Sequence, residues 1–572
     1  MREIEYDKNT GMDKPNSIRP QNKGYGEAGA SWRKKAVKGF NAPSGSPHED
    51  IDFHNFTLRQ RARMLYMSAP IATSAIKTNR TNVVGVGLKL KSRIDREVLG
   101  LTPEQAEAWQ KTTEREFAMW AENKRACDAT GMNTFYGLQQ LALTSWLLSG
   151  DCIGVLKQYK TDSLLPYALR VHLVESDRIA TPGEYGGLGM SVNYTTGKNP
   201  KNGNTIYDGV EVDKNGMVVA YHIRNTYPFE VGAPTTKWTR VLAYQESTGL
   251  PNVVHVMDCE RPDQYRGVTY LAQVIEPLLQ LRRYTESELM AAVVESFFTA
   301  FIKTEAPTDE MPFNQVEPDE PTEPEGPNEY SMGPGTINVM KPGEDVTFAQ
   351  PTRPAGGFDA FVTAISTQIG ASTEIPADLL LKKFNASYSA SRAALMEAWK
   401  SFRMRREWLA DDFCRPIYAV WMSEAVARGR IYAPGFFTNP AIRAAYLGSE
   451  WLGPSQGQLD PTKEITAEIL ACSEGFSTHE QSTIKLNGGQ WDSNVEQLLR
   501  ENEKLGGQSP DPHQTGSSTG QEEPPTEGEG GEDNNPHNPA NARQRGLQAL
   551  RSLVLSEQIK QAVKGEQTNE NI

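Results

Sequence analysis

Along residues 57–150 the apolar positions recur at helical spacing, and the residues between them mark starts and stops. Ser68 and Pro70 open one helix. Thr102, Pro103, Glu104 and Gln105 place an N-cap, an N1 proline and an N3 glutamine ahead of another, and Gly150 closes a third over residues 134–149. Between Asp151 and Asp258 the period drops to two, with β-rich runs at 152–159, 169–175, 209–212 and 217–223. The last two flank Asp213-Lys214-Asn215-Gly216, whose Asn-Gly supplies the positive φ angles of a tight hairpin. The helical period then returns over 268–302, where Leu271, Val274, Ile275, Leu278, Leu281, Leu289, Val293, Phe297 and Phe301 keep one apolar side for about 50 Å, with a bend expected at Pro277. A second helix carries Phe358, Phe361, Val362, Ile365 and Ile369. A third runs over 388–428 through Leu395, Trp399, Phe402, Leu409, Phe413, Ile417, Val420 and Trp421. Pro416 lies inside it and predicts a kink one turn upstream, while Lys400, Arg403, Arg405 and Arg406 read as a solvated basic edge.

Composition narrows the class. The 572 residues are 38% hydrophobic and 23% charged, with mean hydropathy −0.55, and no run approaches the roughly eighteen apolar residues of a membrane span. Met1 to Tyr6 lack the apolar core of a signal peptide, so a cytoplasmic origin is expected. Five scattered cysteines with no Cys-x-x-Cys pair argue against a disulfide framework or a zinc site. A net charge of −13 argues against a simple polyanion binder, but the charge is segregated. Arg59, Arg61, Arg63, Lys77, Arg80, Lys89, Lys91, Arg93 and Arg96 face the single acid Asp95, whereas residues 305–329 hold acids and no Lys or Arg. The latter stretch, threaded with prolines, reads as extended or disordered.

Enzymatic chemistry finds little footing. Neither a phosphate-binding Gly-x-x-x-x-Gly-Lys-Ser/Thr loop nor His-Glu-x-x-His occurs. The pattern Gly24-Tyr25-Gly26-Glu27-Ala28-Gly29 fits a dinucleotide fingerprint and Gly516-Ser517-Ser518-Thr519-Gly520 a nucleophile elbow, yet both lie in segments that read as mobile. His48, Glu49, Asp50, Asp52 and His54 have ligand-type side chains beside a mobile arm that offers no scaffold. No cofactor, metal or catalytic residue is expected.

Three segments in order carry a family resemblance: Arg261-Pro262-Asp263-Gln264-Tyr265-Arg266-Gly267-Val268 leading into Leu271, then Ile375-Pro376-Ala377-Asp378-Leu379-Leu380, then Tyr388-Ser389-Ala390-Ser391-Arg392-Ala393-Ala394-Leu395-Met396-Glu397-Ala398-Trp399. Residues 73–87, the run Leu147-Leu148-Ser149-Gly150-Asp151, and residues 453–464 add to it. The sequence resembles the portal proteins of tailed bacteriophages, in the lambda-type group, over most of residues 57–506. The resemblance implies an α+β portal fold with a β-containing wing, long stem helices, a clip, a kinked helix and a helical crown. On this chain it maps to an N-terminal arm (1–56), a wing (57–265), a first stem helix (266–302), a clip (303–355) and a second stem helix (356–372). A channel loop (373–387), the kinked helix (388–430), a C-terminal wing or crown (431–506) and a tail with a short helix over 542–564 (507–572) complete it.

The implied assembly is a homo-oligomeric ring, usually of twelve, at one capsid vertex of the virion, assembled in the host cytoplasm and touching no membrane. Double-stranded DNA would pass through it during packaging and ejection. Its implied partners are the terminase large subunit, capsid and scaffold proteins, and neck or adaptor proteins. Lys382, Lys383 and Asn385 fall in the channel loop, where lysines at a constriction would touch phosphates. Glu317, Asp319, Glu320, Glu323 and Glu325 fall in the partner-docking clip. The chain departs from the family pattern in its acidic clip insertion and in the tail. The alternative reading, a neck adaptor or minor capsid structural protein, shares the helical and acidic features.

Overall fold

The computed structural model describes residues 30, 34–40, 42–185, 196–232, 235–296, 300–304, 344–348, 357–384, 387–457 and 460–504. A π turn, His48–Asp52, runs directly into helix α1 (Phe53–Ser68), so the metal-type residues around His48 do have a scaffold. They are used for packing: His48 Nδ1 lies 2.7 Å from the Asp52 carboxylate and Asp50 pairs with Arg261 at 2.5 Å. No metal-holding group of three such side chains occurs among the described residues. Ser68 closes a helix instead of opening one, because its hydroxyl donates to the Met64 carbonyl; α2 (Pro70–Val83) begins at its N1 proline without a side-chain cap. After β1 (Lys89–Ser92) and the short α3 (Arg96–Leu99), α4 (Pro103–Glu122) carries the expected capping box between Thr102 and Gln105. A short α5 (Lys124–Cys127) leads to α6 (Phe135–Ser149), capped by Thr134 and ended by Gly150 at φ 92°.

The β-region is two sheets. Strand β2 (Asp151–Gln158) is central to a three-stranded antiparallel sheet, between β3 (Leu169–Val174) and, from later in the chain, β9. A five-stranded antiparallel meander holds β4 (Thr196–Lys198), β5 (Thr205–Tyr207), β6 (Val210–Val212), β7 (Val218–Arg224) and β8 (Trp238–Leu242), after which β9 (Val253–Met257) returns to β2. Cys152, Leu156, Leu169, Val171 and Val256 join the helical core, whereas Ile153, Val155, Val174 and Val253 pack with Val210, Val212 and Tyr221 of the meander. The three-stranded sheet is therefore the middle of three layers, which explains why β2 is apolar on both faces. At the β6–β7 turn only Gly216 has positive φ, 86°; the Asp213 carboxylate accepts the Asn215 and Met217 amides and does the rest.

A buried carboxylate sits inside the meander. Glu211 is fully buried and accepts bonds from Arg240 at 2.7 and 3.0 Å and from Asn199, Asn202 and Asn204 at 3.1, 2.6 and 2.9 Å, with His222 Nε2 at 3.0 Å. Burial opposes its charge, but Arg240, Asn202, Asn204 and His222 outweigh burial and hold the carboxyl well below its ordinary value. A depressed pKa contributes stability that is present above the unfolded value of about 4.3 and is lost as pH falls toward the folded one. Glu211→Gln should therefore unfold more readily at neutral pH, and its stability should fall less than the wild type's between about pH 4 and pH 2. Parallel pH slopes in denaturant titrations would show that Glu211 is not the linked group.

Past the sheets the helical period returns later than expected. Residues Ala272–Val274 form a 3₁₀ turn and α7 spans Ile275–Ser296, so Pro277 lies in the first turn, where a missing N–H costs nothing, and starts the helix instead of bending it. Only the first half of its stripe is covered: Leu278 and Leu281 are buried, while Leu289 and Met290 are exposed. Phe301 and Ile302 belong not to the helix but to β10 (Ala300–Thr304), which pairs antiparallel with β11 (Glu344–Phe348). The aromatic and β-branched composition there suits a strand once a partner is at hand.

Then come α8 (Phe358–Ser372), the short α9 (Ala377–Leu381) and α10 (Tyr388–Leu409). A π turn at Ala410–Cys414 separates α10 from α11 (Arg415–Ala427), directly upstream of Pro416. Pro416 offers no N–H to the carbonyl four residues back, and the widened turn absorbs the defect. Phe413, Tyr418 and Trp421 join Phe117, Trp120, Phe135 and Trp451 in a buried aromatic cluster, with Phe117 and Trp421 edge-to-face at 5.0 Å. Helix α12 (Pro440–Leu447) leads to β12 (Ser449–Leu452), which pairs with β1 in the register Lys89↔Leu452 to Ser92↔Ser449. Helices α13 (Pro461–Ser473), α14 (His479–Asn487) and α15 (Trp491–Lys504) follow. One compact unit ends at Val495; of the second, the described part is the end of α15, where Arg500 faces Glu496 at 3.7 Å.

Candidate nucleic-acid interface

The expected loop at 375–387 is partly helical. Helix α8 ends in a tight reversal in which the Ile375 amide donates to the Gly370 carbonyl at 3.0 Å. A Cβ on Gly370 would stand 2.4 Å from the Ile375 oxygen, so the reversal requires glycine there. Ile375 and Leu380 are buried, and the Ser74 hydroxyl of α2 donates to the Leu380 carbonyl at 2.7 Å, which ties α9 to α2. Lys382 ends α9 in the left-handed conformation, φ 57°, and the Lys383 amide donates to the Asp378 carbonyl at 3.0 Å.

The two lysines diverge. Lys382 Nζ lies 3.4 Å from the Thr78 hydroxyl, and Lys383 Nζ pairs with Asp359 of α8 at 2.9 Å. Both ion-pair partners are solvent-exposed, so the pair is weak. Phe384 beside them is half exposed. Asn385 lies outside the described residues, as do Glu317, Asp319, Glu320, Glu323 and Glu325, the tail helix and both Gly-rich patterns.

The basic edge read on α10 is not solvated throughout. Lys400 stays at the surface with Glu397, but Arg406 donates to the carbonyls of Asn82, Val83 and Pro454 at 2.8–2.9 Å, and burial lowers its pKa to about 10. Arg405 is buried; it donates to Asn79 at 3.1 Å and Glu374 at 2.6 Å and covers the Tyr270 ring at 4.9 Å. The run from Arg59 to Arg96 likewise breaks up. Arg63 pairs with Asp177 and Glu175, Lys91 with Asp492, and Arg93 with Glu450 and Glu480.

Arg59 belongs to a charge network that sequence reasoning missed. Arg266 and Asp151 are both fully buried and joined by two bonds, Nε to Oδ2 at 2.6 Å and Nη2 to Oδ1 at 3.3 Å. Arg266 also donates to the Ser176 and Ile179 carbonyls at 3.0 and 3.1 Å and pairs with Asp208 at 2.7 Å. Arg59 stands 3.6 Å from Asp208 and 3.9 Å from Asp151. Burial works against Asp151, yet Arg266 and Arg59 hold its carboxyl well below the usual range. Beside the pair, the Gly150 and Gly267 backbones touch: a Cβ on Gly267 would lie 1.9 Å from the Gly150 oxygen. The Asn55 amide donates to the Gly267 carbonyl at 3.1 Å, and Tyr270 and Thr269 both donate to the Leu147 carbonyl. This network fastens the start of α7 to α1, α6 and both sheets. It is also where two of the segments that carried the resemblance meet.

A family model described as "Phage portal protein, lambda family" matches residues 33–406, which take in the network, α7, α8 and the lysine segment. The chain belongs to the lambda family of phage portal proteins. Among relatives, portal protein B of Escherichia phage lambda is 24% identical over 497 residues, covering 84% of this chain and 89% of the relative. The portal protein of Escherichia phage N15 is 22% identical over 509 residues, covering 86% and 92%. Among solved structures, the neck of a native gene transfer agent particle is 12% identical, with a TM-score of 0.38 over 76% of this chain and 93% of that one. The matched span places the lysines of this portal protein within family sequence, between α8 and α10.

Proposed function

We propose that the portal protein closes into a ring of identical copies, twelve in number, at one capsid vertex, and that double-stranded DNA passes through the ring during packaging and ejection. The family match over 33–406 carries this reading. The uncovered half of the α7 stripe, with Leu289 and Met290, and the half-exposed Phe361 on α8 support it, since each copy would bury such residues against the next in a head-to-tail ring. Residues 266–296 and 357–372 then act as the stem, 303–355 as the clip that meets terminase and later the neck proteins, and 375–387 as the channel segment. The acidic stretch 305–329 would repel DNA and steer basic partner surfaces. The role is structural, with ATP hydrolysis supplied by the terminase partner.

Lys382 and Lys383 test the channel assignment. The double variant Lys382→Glu/Lys383→Glu should give rings of unchanged mass by native mass spectrometry, because neither lysine is buried. In a packaging assay the yield of DNA-filled heads should fall about tenfold or more, since two attractive contacts per copy become repulsive. Normal rings with filled heads at the wild-type yield would remove residues 375–387 from the channel wall. A chain that stays monomeric at assembly concentrations would remove the ring itself.

A further inference from the structure

Helices α10, α13 and α14 line a cavity of 520 Å³, the size of a ligand pocket. Part of its lining is aliphatic: Leu395 and Met396 of α10, Ala467 of α13 and Leu486 of α14. Another part is cationic, with Arg392 and Arg403 from α10, Lys463 from α13 and Lys485 from α14. Aliphatic contacts ringed by long charged side chains give a recognition surface its usual division of labour, the former excluding water and the latter choosing the sign of the partner.

The two carboxylates in the lining are already engaged. Glu468 is buried, accepts the Ser482 hydroxyl at 2.9 Å and pairs with Lys485, which closes α13 on α14. Glu464 faces Arg392 at 3.8 Å, and Lys463 pairs with Asp460 at 2.9 Å. Arg403 is different. It is exposed, and among the described residues no carboxylate pairs with it. One turn along α10, the half-buried Arg406 donates to three backbone carbonyls and to no described carboxylate. Arg403 therefore sets its charge beside a second guanidinium that has no anion, and burial together with Arg403 lowers the Arg406 pKa to about 10. An anion at Arg403 would relieve both.

Nucleic acid and acidic protein segments both carry anions, and the lining separates them. A phosphate backbone meets cations and hydrogen-bond donors and gains nothing from Leu395, Met396 and Leu486, whereas a peptide brings carboxylates and aliphatic side chains together. We propose that the cavity between α10, α13 and α14 is a docking site for an acidic segment of a partner protein, with a carboxylate of that segment on Arg403 and an aliphatic side chain of it against Leu395, Met396 and Leu486. The site lies outside residues 375–387, so it stands or falls separately from the channel assignment.

Fluorescence anisotropy on the assembled full chain reads it, with three labelled probes: a short peptide of Glu, Asp and Leu, the same peptide with Gln and Asn in place of the acids, and single-stranded DNA. The acidic peptide should bind, its amide counterpart about tenfold more weakly, and the difference should shrink as salt rises. Arg403→Glu should weaken the acidic peptide about tenfold and Met396→Ser about threefold, whereas Lys214→Glu, at an exposed lysine in the β6–β7 turn, should bind it as the wild type does. Arg403 and Met396 are both exposed, so their variants should keep the wild-type denaturant midpoint. If Arg403→Glu shifts that midpoint, Arg403→Gln takes its place and should weaken the peptide about threefold. No binding of the acidic peptide by the wild-type chain overturns the proposal, as does equal binding by the wild type and the folded Arg403 variant. Single-stranded DNA that binds more tightly than the acidic peptide and is released by the Arg403 variant also overturns it, because the site then reads phosphates.

Discussion

Arg266→Met should cost about 3–5 kcal/mol of stability, enough to leave little soluble protein at 37 °C, although methionine fills much of the same volume. The reason is what stays behind. Asp151 is fully buried and would keep its position without the guanidinium that donates to it twice, and Asp208 and the Ser176 and Ile179 carbonyls would lose a donor at the same moment. Arg59, 3.9 Å from Asp151, cannot take over both bonds because its Nε already donates to the Ser149 carbonyl at 3.0 Å. The paired change Arg266→Met/Asp151→Leu should recover part of the loss, since it removes both charges from a site that is costly for either alone. Denaturant melts of the two variants decide the matter: a single variant within about 1 kcal/mol of wild type would mean that water reaches the network and screens it.

Gly267→Ala should do comparable damage by a different route. The added methyl group would fall 1.9 Å from the Gly150 carbonyl oxygen and 3.2 Å from the Met257 Cβ, so two backbones must part. The backbone of Gly267 is not free to retreat, because its amide faces Asp151 at 3.3 Å and its carbonyl accepts from Asn55 at 3.1 Å. The expected loss is at least about 4 kcal/mol, in the range reserved for broken backbone packing. Gly100→Ala is the comparison without a steric contact: Gly100 sits at φ 66° but meets nothing within 4 Å, and the change should cost only about 1 kcal/mol. A loss in Gly267→Ala no larger than that in Gly100→Ala would show that the Gly150 and Gly267 backbones part at little cost.

What was legible in the sequence was local. The Thr102–Gln105 capping box, the Gly150 stop and the β-rich runs at 152–159 and 169–175 depend on near neighbours, and each stands close to where its composition put it. Other elements depend on partners far along the chain. Strand β1 reads Lys-Leu-Lys-Ser, too polar and short to announce itself, and is a strand because residues 449–452 lie beside it. Arg266 and Asp151 are 115 residues apart, and periodicity cannot pair them even though each sits in a recognisable segment. Arg405 follows the same logic: it stands three residues after Phe402 and four before Leu409, at the spacing of the buried stripe, but only the fold shows that Glu374, Asn79 and Tyr270 meet it there. Of the candidate site residues, Lys382 and Lys383 are placed by the ends of α8 and α9, whereas the clip carboxylates lie outside the described residues.

The pairing of β1 with β12 also sets a schedule for synthesis. The two strands are about 360 residues apart, so at about 5–20 residues per second a ribosome adds the closing strand some 20–70 s after the first has emerged. For that interval Leu90, and the side of the aromatic cluster that Trp451 covers, lack the neighbours that β12 supplies. The nascent chain thus leaves part of its core uncovered until β12 emerges, and the native core around β1 closes only when most of the chain has been made.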